Sequence, residues 1–485
     1  MKKINNEIML ITYSDSMGQN LKDLKHVLDN IIGNAVGGVH LLPFFPSSGD
    51  RGFAPIDYHE VDPAFGSWKD IRAISEKYYL MADYMINHIS AKSKYYQDFL
   101  QNKENSPYKD LFIRYKDFWE NGEPTEEQVD LIYKRKPRAP YVTAEFADGT
   151  KEKLWCTFDE EQIDINCTSE TGKKFIRDNL EFLASQGVSI VRLDAFAYAT
   201  KRPNTTCFFV EPDVWELLEY VDDILKPHQV TLLPEIHEHY TMQQKIESKG
   251  FYVYDFALPM LLLNALYYGQ SQYLKNWLTI CPRKQFTTLD THDGIGVVDV
   301  KDLMPDDEIK KTQEDIYQFG ANVKKIYSSA SYNNLDIYQV NCTYYSALGN
   351  NDKDYLIARA VQFFAPGIPQ VYYVGMLAGK NDLELLEKTR VGRDINRHYY
   401  SIDEIEQEIK RPVVDSLLSL MRFRNTCNAF NGEFELADTD DSSLHIIRKN
   451  ASDFAELKVN FKEKTLSIHY TDNNGKGKKK EFMSF

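Results

Sequence analysis

The stretch SIVRLDAFAY, Ser189 to Tyr198, places an Arg and an Asp two positions apart inside an apolar run. Strand side chains alternate faces, so Arg192 and Asp194 point one way while Val191 and Leu193 point the other. Charges in a core strand are costly unless paired, and removing one partner costs several kcal/mol. Two readings fit these ten residues: an ion pair that fixes strand register, or a carboxylate held ready for chemistry.

Working outward, the same kind of run recurs. Short apolar stretches lie at residues 8–13, 36–42, 80–86, 188–193, 230–233, 252–256, 286–289 and 370–374. Between several of them lie amphipathic segments such as SETGKKFIRDNLEFLASQG, 169–187, which opens at a Ser cap and closes at a Gly stop. Eight buried-type strands alternating with helices predict a parallel (β/α)8 TIM barrel, with a doubly wound sheet as the alternative. A length of 485 residues accommodates such a barrel of ~250 residues with additions.

The spacing divides the chain. Roughly a hundred residues separate the third and fourth runs, far more than one crossover helix needs. The expected organisation is therefore a first part of the barrel at 1–87, an inserted lobe at 88–167 and a second part at 168–293. A second insertion follows at 294–355, then the last part of the barrel at 356–435. Residues 436–485 alternate polar and apolar side chains, as in SLHIIRKN and LKVNFKEKTLSIHY, which predicts a small antiparallel β domain.

Composition excludes several classes. The 57 basic and 72 acidic residues give −15, which argues against a nucleic-acid or anionic-membrane binder but leaves room for a local basic pocket. No stretch approaches the ~20 apolar residues of a membrane span, and the short run after Lys2 and Lys3 reads as a strand instead of a signal peptide. The cysteines, at 156, 167, 207, 281, 342 and 427, lack CxxC spacing. A reduced, cytoplasmic chain without structural zinc is expected, as a monomer or homodimer.

In a barrel, chemistry sits at the C-terminal ends of the strands. The third run ends with Asp83, Asn87 and His88, the fourth with Arg192 and Asp194, the fifth with Glu235, His237 and His239, the seventh with His292 and Asp293. His237 and His239 form an HxH pair of the kind that ligates zinc or iron. The competing reading is glycoside chemistry, with one carboxylate as nucleophile and one as acid/base. It accounts for Arg192, which keeps a neighbouring nucleophile ionised.

The set DYMINH, GVSIVRLDA, PEIHE and TLDTHD resembles the four signature regions of the α-amylase superfamily, in that order. GVHLLPFFP (38–46), EQIDIN (161–166) and GIPQVYYVG (367–375) flank them, and the matches span about 375 of the 485 residues. The resemblance implies Asp194 as nucleophile, Glu235 as general acid/base and Asp293 as transition-state stabiliser, with His88, Arg192 and His292 binding the sugar. Within the superfamily the chain is most similar to the sucrose phosphorylase group, in SGDRGFAPIDYHEVD, YNNLDIYQVNCTYYSALG and LAGKNDLELLEKTRVGRDINRHYY. That likeness implies Asp50 and Phe53 against the glucosyl ring, Asp336, Ile337, Tyr338 and Gln339 on an acceptor loop, and Arg393 at the closed end of the glucose pocket. Phe158, Gln162, Tyr198 and His237 also fall at matching places.

Some relatives carry an Arg credited with phosphate contact where KRKPRAP (134–140) has Lys136, so Arg135, Lys136 and Arg138 are all phosphate candidates. No cofactor and no metal are implied; calcium, bound by many amylases, is matched here only at Asn87. The implied reaction converts sucrose and phosphate to glucose 1-phosphate and fructose, with small molecules as the only partners. Phosphorylases of sucrose 6′-phosphate or glucosylglycerate, and a glucosidase or transglucosylase, are the alternatives on the same scaffold. A non-catalytic sugar-binding relative is the alternative from another class, and the intact carboxylates argue against it.

Overall fold

The computed structural model describes residues 2–321, 339–471 and 477–480. Eight parallel strands form one sheet: β1 Met9–Thr12, β2 Gly38–Leu41, β3 Tyr79–Met85, β4 Ile190–Asp194, β5 Thr231–Pro234, β6 Val253–Asp255, β7 Gln285–Thr287 and β8 Ile368–Tyr372. Their order in the sheet is β6-β7-β8-β1-β2-β3-β4-β5. This is the chain order cut once and rejoined. A doubly wound sheet reverses direction at a switch point, and no reversal occurs here. The architecture is the barrel, and the alternative falls. All seven residues of β3 and all four of β1 are buried, as expected for strands covered on both faces.

The chain divides into two compact units, residues 1–3 with 41–236, and residues 4–40 with 237–485. In the first, β3 pairs with β4 so that Asp83 faces Arg192 and Met85 faces Asp194, and β4 pairs with β5 up to Leu193 and Pro234. The helix Glu170–Ser185 leads into β4. Ser169 Oγ accepts from the Gly172 amide at 2.9 Å at its start, and Gly187 turns the chain out at φ +91°. A Cβ at Gly187 would lie 2.5 Å from Ser75 Oγ, so glycine is required both for the turn and for the close approach. Residues 88–90 pair with 162–164, and a hairpin joins 141–145 to 151–155.

The second unit carries β6 against β7, β7 against β8 and β8 against β1 in parallel register. It ends in an antiparallel meander of β9 Glu433–Ala437, β10 Ser443–Asn450, β11 Asp453–Asn460, β12 Thr465–Thr471 and β13 Gly477–Lys480. Along β10 the apolar positions Leu444 and Ile446 are buried while their neighbours are half-buried, the alternation of a sheet with one covered face. Among the described residues, no helix is long and apolar enough to cross a membrane.

Candidate active site

The end of β4 is organised by one guanidinium. Arg192, 3% exposed, hydrogen-bonds through Nη1 to Asp83 Oδ1 and, at 3.0 Å, to Asp194 Oδ1; its Nη2 lies 3.3 Å from Glu235 Oε1. Asp83 has no solvent exposure, so its charge is compensated only by partners of this kind. Three carboxylates from the ends of three neighbouring strands thus share one cation. Ala195, directly after Asp194, sits at φ +55°, a left-handed conformation costly for a residue with a Cβ. Its amide is thereby turned to donate to Glu235 Oε2 at 3.3 Å, linking the two carboxyl-bearing strand ends.

In the same unit, the Phe53 carbonyl accepts from His88 Nε2 at 2.8 Å and from Gln162 Nε2 at 2.9 Å. The Phe53 carbonyl calls for a proton on His88 Nε2, while the Gln162 amide, 3.0 Å from the same nitrogen, calls for a lone pair there. Burial lowers the pKa of His88, keeping the ring neutral. Its ring meets Phe158 edge-on at 5.4 Å, and Phe158 meets Tyr198 at 5.1 Å. Asp50 is exposed on a turn at φ +44° and acts on His88 through its charge. Phe53, His88, Gln162, Phe158 and Tyr198 therefore form one connected aromatic and polar wall.

Lys201 carries no signature in the sequence, where it is a lone Lys in AYATKRP. Its ammonium, 2% exposed, donates to Asn87 Oδ1 at 2.9 Å and to the Tyr198 carbonyl at 2.7 Å, and pairs with Asp164 Oδ2 at 2.9 Å. An apolar run ended by an amide and, farther on, a Lys has no periodic signal that foretells this. The ammonium ties the end of β3 to the turn that carries Tyr198.

The basic candidates divide. Arg138 spends Nη1 on the Ala139, Tyr141 and Cys156 carbonyls and Nη2 on Cys156 Sγ and the Phe158 carbonyl. It braces the 141–155 hairpin and lines the same crevice as Arg135 and Lys136. Lys136 pairs with Asp159 at 2.5 Å, and the Arg135 guanidinium lies 5.9 Å from the Tyr198 ring centre. Together with Tyr133 these side chains line a narrow crevice.

In the second unit Asp293 follows β7, 9% exposed, with Arg393 Nη1 at 3.1 Å from its Oδ1. Burial alone would raise its pKa; Arg393, then His292, Arg397 and His237, outweigh it and hold the carboxyl well below the usual range. Asn396 Nδ2 donates to the Asp293 carbonyl at 2.7 Å, and Arg397 Nε to the His292 carbonyl at 3.0 Å. His237 stacks on Phe256 at 4.0 Å, with Gln339 Nε2 at 3.2 Å and Asp299 Oδ2 at 3.5 Å from its ring nitrogens. His239 turns instead to Thr241 and Asp302, so the HxH imidazoles have separate partners. Asp336, Ile337 and Tyr338 lie outside the described residues.

Strand ends that deliver paired carboxylates, a buried neutral histidine and an ionised aspartate next to arginine are suited to glycosyl transfer. The family description "Alpha amylase, catalytic domain" matches residues 11–401. A sucrose phosphorylase of Streptococcus mutans serotype c is 57% identical over 471 residues, covering 96% of this chain and 98% of that protein. A glucosylglycerol phosphorylase of Marinobacter adhaerens is 46% identical, covering 97% of each. The crystal structure of sucrose 6F-phosphate phosphorylase from Thermoanaerobacter thermosaccharolyticum superposes with a TM-score of 0.95 at 42% identity, covering 99% of this chain and 98% of that one.

Proposed function

The chain belongs to the alpha-amylase family, and on that premise we propose that it is a sucrose phosphorylase. Asp194 attacks the anomeric carbon of sucrose, the bond to the fructosyl oxygen breaks, and Glu235 gives that oxygen its proton. A phosphate oxygen then attacks the same carbon, the ester bond breaks, and its electrons return to Asp194. Glu235 takes the proton if the incoming oxygen carries one. Two inversions give retention, and the product is α-glucose 1-phosphate.

The observation that carries this reading is the single guanidinium shared by Asp194 and Glu235 at adjacent strand ends. Asp293, kept ionised by Arg393, fits the stabiliser role. By the family resemblance, Phe53, His88, Phe158, Gln162, His292 and Arg393 are assigned to the glucosyl subsite and Tyr198, His237 and Gln339 to the acceptor side. Arg135 and Lys136 are the cations for phosphate, Lys136 exchanging Asp159 for the anion. In this reading residues 88–167 are the inserted lobe that carries the basic loop.

The relatives named for other donors set the experiment. With phosphate held constant, kcat/KM is measured for sucrose, sucrose 6′-phosphate, glucosylglycerol and glucosylglycerate. Sucrose should lead by about tenfold or more, a difference of ~1.4 kcal/mol in transition-state binding. A faster reaction with any of the others reassigns the donor.

A further inference from the structure

Outside the carboxylate cluster, one imidazole bridges two acids. His398 Nδ1 lies 2.5 Å from Asp382 Oδ2 and Nε2 2.9 Å from Glu404 Oε1. Each acid also caps a helix. Asp382 Oδ1 accepts from the Leu385 amide at 2.8 Å at the start of helix Leu383–Thr389. Glu404 closes the capping box with Ser401 at the start of helix Ile402–Glu408. A carboxylate only accepts, so the ring can satisfy both only with a proton on each nitrogen.

The chain between those two caps is the one that reaches Asp293. It carries Arg393 to the Asp293 carboxylate, Asn396 to the Asp293 carbonyl and Arg397 to the His292 carbonyl. Backbone ties also hold it, among them the Asp382 amide on the Ile395 carbonyl at 2.7 Å, the Tyr400 amide on the Ser16 carbonyl at 3.0 Å and Tyr373 Oη on the His398 carbonyl at 2.7 Å. We infer that His398 is a positioning residue for the glucosyl transfer: its imidazolium clasps Asp382 and Glu404, and the clasped segment holds Arg393 on Asp293. The inference rests on the role proposed above for Asp293.

Among the described residues, the groups facing the His398 ring are Asp382, Glu404 and Tyr400, whose ring centre is 4.5 Å away, while the Tyr373 phenol donates to the His398 carbonyl. Burial lowers the pKa of the imidazole, but the two carboxylates outweigh it and raise it overall. The proton therefore persists above the ordinary histidine range and leaves as pH rises through the raised value. The neutral ring then turns an acceptor nitrogen toward one carboxylate, that contact is lost, and Arg393 loosens.

The test follows kcat/KM for α-glucosyl fluoride at fixed phosphate, which reports only the steps up to fluoride departure; this donor leaves with little protonation, so that profile is not governed by Glu235. Fluoride release should fall on the alkaline side in the wild type. In His398→Gln it should be lower below that limb, on the order of tenfold for a loosened positioning group, and flat across it. Glu404→Gln keeps the imidazole but removes one anion, so its limb should move to lower pH. Wild-type rates and an unmoved limb in both variants overturn the inference, leaving His398 as a link between two helix caps. If neither variant folds, the wild type decides, since a rate flat with rising pH overturns it equally. A wild type that releases no fluoride at any pH instead defeats the proposed function, so the two failures are distinct.

Discussion

Arg192 compensates Asp83, Asp194 and Glu235 with a single positive charge. Its neighbours must nevertheless do different work, and leaving-group chemistry separates them. Asp194→Asn cannot form the ester and should lose turnover by about 10⁴-fold or more with every donor. Glu235→Gln should lose sucrose turnover to a similar degree but keep part of its rate with α-glucosyl fluoride. Steady-state assays with both donors, after mass spectrometry has excluded deamidation of the introduced amide back to the acid, check this. An identical response of the two variants to the activated donor would contradict the assignment. The sequence made Arg192 and Asp194 legible as a pair because period two alone puts them on one face. Asp83 as the third partner was not legible, since the contact is made across 109 positions of chain and depends on β3–β4 register. Arg393 on Asp293 was hidden for the same reason.

At the scale of elements, each of the eight apolar runs lies on a strand, because a strand buried on both faces needs an unbroken apolar stretch. Loops offer no such constraint. KRKPRAP presents four cations in sequence, yet only the fold reveals that Arg138 is occupied by carbonyls of the hairpin beside it. In the proposed reaction this loop decides what receives the glucosyl group. Water at about 55 M outnumbers millimolar phosphate by roughly four orders of magnitude, so phosphate needs an advantage of about 5–6 kcal/mol merely to break even. Arg135→Ala with Lys136→Ala should therefore raise the ratio of free glucose to glucose 1-phosphate at limiting phosphate, while formation of the glucosyl enzyme changes much less. Product ratios by chromatography check this, and an unchanged ratio would mean a solvated surface loop. Arg138→Ala should act differently: it removes the guanidinium donor from several part-buried carbonyls, at about 1 kcal/mol each, and lowers the melting temperature.

Across the whole molecule the formal charge of −15 opposes a dianionic substrate, so the local cations of the lobe matter more than the net field. Lys201 adds a second consequence. Its ammonium sits among Asn87, Asp164 and the Tyr198 carbonyl, oxygen ligands of the kind a hard cation takes, and is itself the positive charge there. Activity should accordingly be indifferent to EDTA, and a loss restored by calcium or zinc would contradict this. In the proposed reaction the glucosyl group of sucrose goes to phosphate. The protein is incubated with sucrose, with and without inorganic phosphate, and the glucose product is identified by NMR. With phosphate, α-glucose 1-phosphate and fructose should accumulate in equal amounts; without it, only slow release of free glucose should occur. Free glucose formed at the same rate in both reactions, or glucose 1-phosphate of the β configuration, would contradict the account.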